Sequence, residues 1–132
     1  MTLWKDSLLI GFQEIDNQHK KLVEAIDNLS AACAQGQGRA ALEKTLMFVV
    51  HYTKQHFTEE EKIAERYNYP FLSEHKRLHA EFVSAVLKLV IDFNENGPSI
   101  ALMSRINKTL VDWLIIHITI EDKKIGDYIN SL

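Results

Sequence analysis

Six side chains able to bind metal fall on the apolar stripes of this sequence: His19, His56, Glu60, His75, His79 and His117. His19 stands in the series Ile15, His19, Leu22, Ile26, Leu29, Cys33. His56 and Glu60 continue Leu42, Leu46, Val49 and Thr53, and lead on to Ile63 and Tyr67. His75 and His79 open a series that runs through Phe82, Val86, Leu89 and Phe93. His117 closes one through Met103, Ile106, Leu110 and either Trp113 or Leu114. Steps of three and four place each series on one face of an α-helix. A single core histidine is satisfied by a carbonyl. Five of them with a carboxylate are costly to bury unless they share a ligand. Imidazole and carboxylate without thiolate suit iron, zinc or manganese, and five imidazoles exceed what one tetrahedral zinc takes. His56–Glu60 and His75–His79 are both i,i+4 pairs, so the members of each pair face the same way. Glu59 and Glu61 lie off the stripe and are expected in solvent, as is the remaining histidine, His51.

The elements that must position these groups are all helical. Periodicity predicts helices over about 16–34, 39–66, 71–94 and 99–118, with turns at Gly36–Gly38, Asn68-Tyr69-Pro70 and Asn94–Ser99. Each helix is amphipathic, and short loops make the expected architecture an all-α, up-down-up-down four-helix bundle. In that topology the start of the first helix, the end of the second, the start of the third and the end of the fourth share one end of the molecule. All six metal-binding side chains therefore converge there, while the opposite end is plain Leu, Ile, Val and Phe. An N-terminal arm from Thr2 to Glu14 is expected to pack as an extended segment anchored by Trp4 and Phe12. The last 14 residues read as a short C-terminal helix, with Ile125, Ile129 and Leu132 against the bundle. Thr119 would cap it with Asp122 at the third position, which implies a break in helix direction after His117 or Ile118.

A second carboxylate is needed if two ions are held, and two are available. Glu121 is i+4 from His117 and serves if the fourth helix continues. Asp122 is i+5, about 140° round a regular helix, and serves if the helix breaks. On spacing alone they stand level. The Glu-x-x-His motif of carboxylate-rich diiron bundles is missing from the chain.

Composition narrows the classes further. The chain has 132 residues, 46% hydrophobic and 25% charged, with a formal charge of −3. That is one domain, with no basic excess for nucleic acid. A lone cysteine, Cys33, excludes an intrachain disulfide framework and a cysteine-rich metal site. No apolar run is long enough to span a membrane, and the first residues lack the pattern of a secretory signal. A cytoplasmic protein without membrane insertion is expected.

The motifs together resemble the hemerythrin family, and its bacterial single-domain members in particular. The resemblance is carried by IDNQH ending at His19, HFTEE from His56 to Glu60, HKRLH from His75 to His79 and HITIED from His117 to Asp122. It covers nearly the whole chain, as a single hemerythrin-like domain over 1–132. It implies two iron ions (Fe2+/Fe3+) with a bridging oxo or hydroxo group. One ion would be held by His75, His79 and His117, and the other by His19 and His56 with a position left open. Glu60 and Asp122 would bridge them, which favours Asp122 and leaves Glu121 at the surface. Trp113, Leu114 and Ile118 match positions that line or back the ligand pocket around the open iron, and Phe57, next to His56, is expected to pack there too. Where many relatives carry a methionine after the HFTEE motif, this chain has Ala64. The implied activity is reversible dioxygen binding, for storage or for delivery to an oxygen-consuming enzyme, by a non-enzymatic monomer. The alternatives are an oxygen or redox sensor, a diiron enzyme of peroxidase, oxidase or NO-reductase type, and a plain bundle whose histidines make packing hydrogen bonds or that merely stores or buffers iron.

Overall fold

The computed structural model describes residues 3–132. Helices α1 (Gln13–Ala34), α2 (Arg39–Arg66), α3 (Leu72–Asn96) and α4 (Ile100–Ile116) follow one another, and a short α5 (Lys123–Asn130) completes the chain. Each packs on its sequence neighbour and α4 returns to α1, the closed ring of an up-down-up-down bundle. The stripes read from the sequence are the buried faces: Leu22, Ile26, Leu29, Leu46, Val49, Phe82, Phe93, Ile106 and Leu110 are all in the core. Cys33, Tyr67 and Leu89 are only half-buried. No helix among the described residues is long and apolar enough to cross a membrane.

The turns follow local chemistry. Gly97 ends α3 at φ 75°, a conformation that suits glycine, and its N–H donates to the Phe93 carbonyl at 2.8 Å. Two residues on, the Ser99 hydroxyl caps α4 by accepting the Leu102 N–H at 3.0 Å.

The expected break after His117 is not there. Backbone angles stay helical through Ile116, His117, Asp122 and Lys123, and residues His117–Asp122 form a π-helical turn instead. The Lys123 N–H reaches back five residues to the Ile118 carbonyl. Thr119 caps nothing; its hydroxyl donates to the Ile115 carbonyl at 2.8 Å, within the same helix. The physical reason is that a π turn accommodates one extra residue per hydrogen-bonded loop. The helix thus continues into α5 with its inner face advanced by one position. Ile125 is fully buried as expected and Ile129 half-buried, but Leu132 is 72% exposed.

The arm is anchored more broadly than Trp4 and Phe12 alone. Both do pack on the core, Phe12 edge-on to Tyr67, but Leu8 and Ile10 are the deeply buried residues. A short 3-10 turn, Asp6–Leu8, interrupts the extended course. The arm's amides are caught by α1: Ile10 N–H donates to Asp16 at 2.7 Å and Leu3 N–H to Asp27 at 3.0 Å. Thr2 lies outside the described residues. The arm crosses α5 at Gly126, where an added Cβ would stand 1.9 Å from the Ile10 carbonyl oxygen. The expected result of Gly126→Ala is a loss of about 1–3 kcal/mol from overpacking against rigid backbone, read as a lowered urea midpoint.

Candidate metal centre

The bundle brings together the groups that the stripes predicted. His19 comes from the first turns of α1, His56 and Glu60 from the last turns of α2, His75 and His79 from the start of α3, and His117 and Asp122 from the π turn. Each is at most 3% exposed. Of the two carboxylates left level by spacing, Asp122 faces the cluster. In a π turn the fifth residue on takes the place that the fourth holds in an α-helix, so Asp122 lines up beneath His117. Glu121 is half-buried outside the cluster and pairs with Lys124 at 3.4 Å.

Both carboxylates straddle two groups of imidazoles. Glu60 Oε1 lies 2.6 Å from His75 Nε2 and 3.2 Å from His79 Nε2, while its Oε2 lies 3.1 Å from His56 Nε2 and 3.3 Å from His19 Nε2. Asp122 Oδ1 is 3.0 Å from both His75 and His117, and its Oδ2 is 3.0 Å from His19. Three imidazoles therefore share one end of the carboxylate pair and two share the other. Donors that sit cis on an octahedral ion at about 2.1 Å stand about 3.0 Å apart, which matches these spacings.

The unpaired atoms point the same way. His19 Nε2, His56 Nε2, Glu60 Oε2 and Asp122 Oδ1 are buried without a hydrogen-bond partner, although neighbours lie within 3.0–3.3 Å; His19 Nδ1, on the other side of its ring, is also unpaired. Proximity without hydrogen-bond geometry is what lone pairs aimed at a common point produce. His79 Nε2 and His117 Nε2 meet at 3.1 Å, two nitrogens of the kind that jointly face a cation. Two carboxylates among neutral imidazoles would leave a buried charge of −2, which divalent ions offset. The cluster has the geometry of a two-metal centre.

Groups outside the cluster hold two of the five imidazoles in place. His56 Nδ1 is 2.7 Å from the Gln18 amide oxygen, and Gln18 in turn donates to Glu59 at 2.8 Å. His79 Nδ1 is 2.7 Å from Glu61. Acceptors at Nδ1 make it the protonated nitrogen and present the Nε2 lone pair inward. Glu59 and Glu61 are thus half-buried partners of this shell rather than solvated residues. Sequence reasoning missed Gln18 and Glu61. His51 is exposed, as expected.

Phe57 lies flat on His79, with ring centroids 3.8 Å apart and planes within 2°. Trp113 stacks on His117 at 4.2 Å and on Phe82 at 3.9 Å. These two rings stack on the three-imidazole side rather than around the two-imidazole side expected from the resemblance, and only Phe57 also approaches His56, at 5.9 Å. Leu114 and Ile118 are 3% and 0% exposed, next to His117 on the inner face.

Without metal, the cluster holds protons. Burial by itself lowers the basicity of His19 and His75, but the carboxylates of Asp122 and Glu60 outweigh it, lifting His19 to about 9 and His75 to about 10. Burial raises the acids, and the facing histidines overcome this, so both lie below the ordinary carboxylate range. Imidazoles whose basicity is raised on folding stabilise the fold fully below about pH 6.5. That stabilisation is lost as pH rises through 9 to 10. Metal-free protein is therefore expected to lose denaturation midpoint steadily over this alkaline range, and metal-loaded protein to lose much less, because metal has replaced the protons. Parallel midpoint–pH curves for the two forms would contradict this.

The chain is similar in sequence to known proteins. The profile of the family described as "Hemerythrin HHE cation binding domain" matches residues 10–129. The chain is 34% identical over 131 residues to a bacteriohemerythrin of Stenotrophomonas maltophilia, covering 99% of this chain and 83% of that one. It is 36% identical over 120 residues to a bacteriohemerythrin of Pseudomonas aeruginosa, covering 91% and 76%. A myohemerythrin of Riftia pachyptila is 28% identical over 116 residues, covering 88% and 83%.

Proposed function

We propose that this chain, which belongs to the hemerythrin family, holds two iron ions in the seven-residue cluster and binds dioxygen reversibly there. The role is non-enzymatic: a store, or a supply to oxygen-consuming enzymes, by a cytoplasmic monomer whose residues 1–132 form one domain. The observation that carries the reading is the unequal sharing of imidazoles between the two ends of one carboxylate pair. His75, His79 and His117 would hold one ion, and His19 and His56 the other, with Glu60 and Asp122 spanning both. The two-imidazole side offers one donor fewer, which leaves room for an outside ligand. An iron pair held there would supply reversible two-electron chemistry toward dioxygen.

The chain's own residues favour release over turnover. Gln18 and Glu61 fix which nitrogen of His56 and His79 faces inward. Leu114 and Ile118 add apolar walls that exclude water. Beyond the cluster, the buried carboxylate among the described residues is Asp16, and it is spent on the Ile10 and Gly11 amides. Among the described residues no further buried carboxylate is left to protonate a bound ligand and drive bond cleavage.

The test is optical. Metal-free protein is loaded with ferrous iron under anaerobic conditions, exposed to air, then returned to vacuum. A visible band that appears with air and vanishes under vacuum over repeated cycles is the expected result. A single irreversible change, or none, overturns the reading. Within the same assay, Leu114→Ala opens a void of the kind that costs about 2–5 kcal/mol and admits water. It is expected to shorten the number of reversible cycles, and unchanged cycling would remove Leu114 from the pocket.

A further inference from the structure

The two ion positions of the centre are built unequally, and the inequality continues behind the donors. Five side chains converge on one position: Glu60, His75, His79, His117 and Asp122. Four converge on the other: His19, His56, Glu60 and Asp122. Behind them stand two contacts of equal length and different charge. His79 Nδ1 donates to the Glu61 carboxylate at 2.7 Å. His56 Nδ1 donates to the Gln18 amide oxygen, also at 2.7 Å. Gln18 gives its own N–H to Glu59 at 2.8 Å, so a neutral group separates that carboxylate from His56. The other imidazole of the four-donor position is unsupported. His19 Nδ1 is buried and finds no hydrogen-bond partner among the described residues.

These differences share one sign. A carboxylate behind an imidazole raises its strength as a donor, because the charge that a metal draws from the ring is replenished through the N–H. An amide does this far less. An imidazole that coordinates through Nε2 carries its proton on Nδ1, and a buried N–H without an acceptor is costly. His79 is therefore strengthened and His19 penalised. Repulsion between the ions widens the gap without choosing a side. Two ions bridged by shared carboxylates sit roughly 3.5–4 Å apart, so whichever binds second binds more weakly. Donor count and outer partners decide which that is.

We propose that the five-donor position fills first and keeps its ion, that the four-donor position is the exchangeable one, and that Glu61 is the positioning residue that sets the gap between them. This rests on the reading of the cluster as the seat of an iron pair. The exchangeable position is also the one with room for an outside ligand. Reversible dioxygen binding takes two electrons, and a single ferrous ion gives one. Iron supply thereby gates oxygen binding at one place: scarcity leaves a silent one-ion chain, and one further ion restores it.

The experiment uses the full chain under anaerobic conditions, dialysed at a series of free ferrous concentrations set by nitrilotriacetate, with iron per chain as the readout. As free iron is lowered, content is expected to fall from two to one, hold there over at least about a tenfold range, and then fall to none. Glu61→Gln keeps an acceptor on His79 and removes its charge. It should raise the free iron needed to keep the last ion by about tenfold, the low end for losing an outer partner, and leave the two-to-one step in place. Gln18→Glu/Glu59→Gln moves a charge onto His56 with an amide still facing it. It should lower the free iron needed for the second ion by about tenfold, a tightening that damaged packing does not produce. Isolated one-ion chain should show no reversible band in air–vacuum cycles until one equivalent of ferrous iron is returned. Loss of both ions in a single step, no shift or a shift of the other step in either variant, or a reversible band in the one-ion chain would each overturn the proposal. Stepwise loss with both shifts, in a chain that fails to cycle when fully loaded, would sink only the oxygen reading. Cycling in a chain that loses both ions together would sink only this one.

Discussion

His117→Ala should abolish the two-metal centre, leaving one ion per chain or none after dialysis against a weak chelator. His117 Nε2 lies 3.0 Å from Asp122 and 3.1 Å from His79. Its removal takes away a donor and leaves Asp122 Oδ1 facing only His75 on that side. Losing a group that merely orients a ligand costs about 10–100-fold in metal affinity, and losing a direct donor costs more. The variant should still fold, because the stripe through Leu110 and Leu114 that docks α4 is untouched. Metal analysis together with circular dichroism separates the two effects. Full retention of two metals in a folded variant would overturn the assignment of His117.

The second large effect concerns backbone register. Inserting one alanine after Ile120 moves Asp122 to six residues beyond His117, a spacing that neither an α nor a π turn aligns. Iron content should collapse, as is expected for His117→Ala. Deleting Ile120, which is 52% exposed, has the opposite expectation. Asp122 then stands four residues from His117, and an ordinary α-helix carries it to the same place. The deleted form should keep both metals while the inserted form loses them. Equal metal content in the two would show that the π turn does not aim Asp122.

That turn also marks where the sequence stopped being legible. The four helices, their stripes and the shared end of five imidazoles with Glu60 could be read because burial imposes a period. The passage from His117 to Asp122 could not, because a threonine followed by an aspartate three residues on also looks like a helix start. A contrary signal was present. The inner stripe resumes at Asp122 and Ile125 with no glycine or proline between them and His117, which suits a one-residue skip better than a break. Gln18 and Glu61 escaped for another reason. They serve by touching His56 and His79 on neighbouring helices, and contacts across a bundle leave no period along one strand of sequence. Gly126 was equally silent, since its value lies in the missing Cβ beneath the Ile10 carbonyl.

Asp122 and Gly126 lie one turn apart on a continuous helix, one turned toward the cluster and the other pressed beneath the arm. The helix has a single rotational setting that keeps both appointments. Like a key cut on two edges, it cannot be re-phased to suit one lock without jamming in the other. Changes that accumulate in α5 are therefore screened by two unrelated demands at once, ion geometry and backbone clearance.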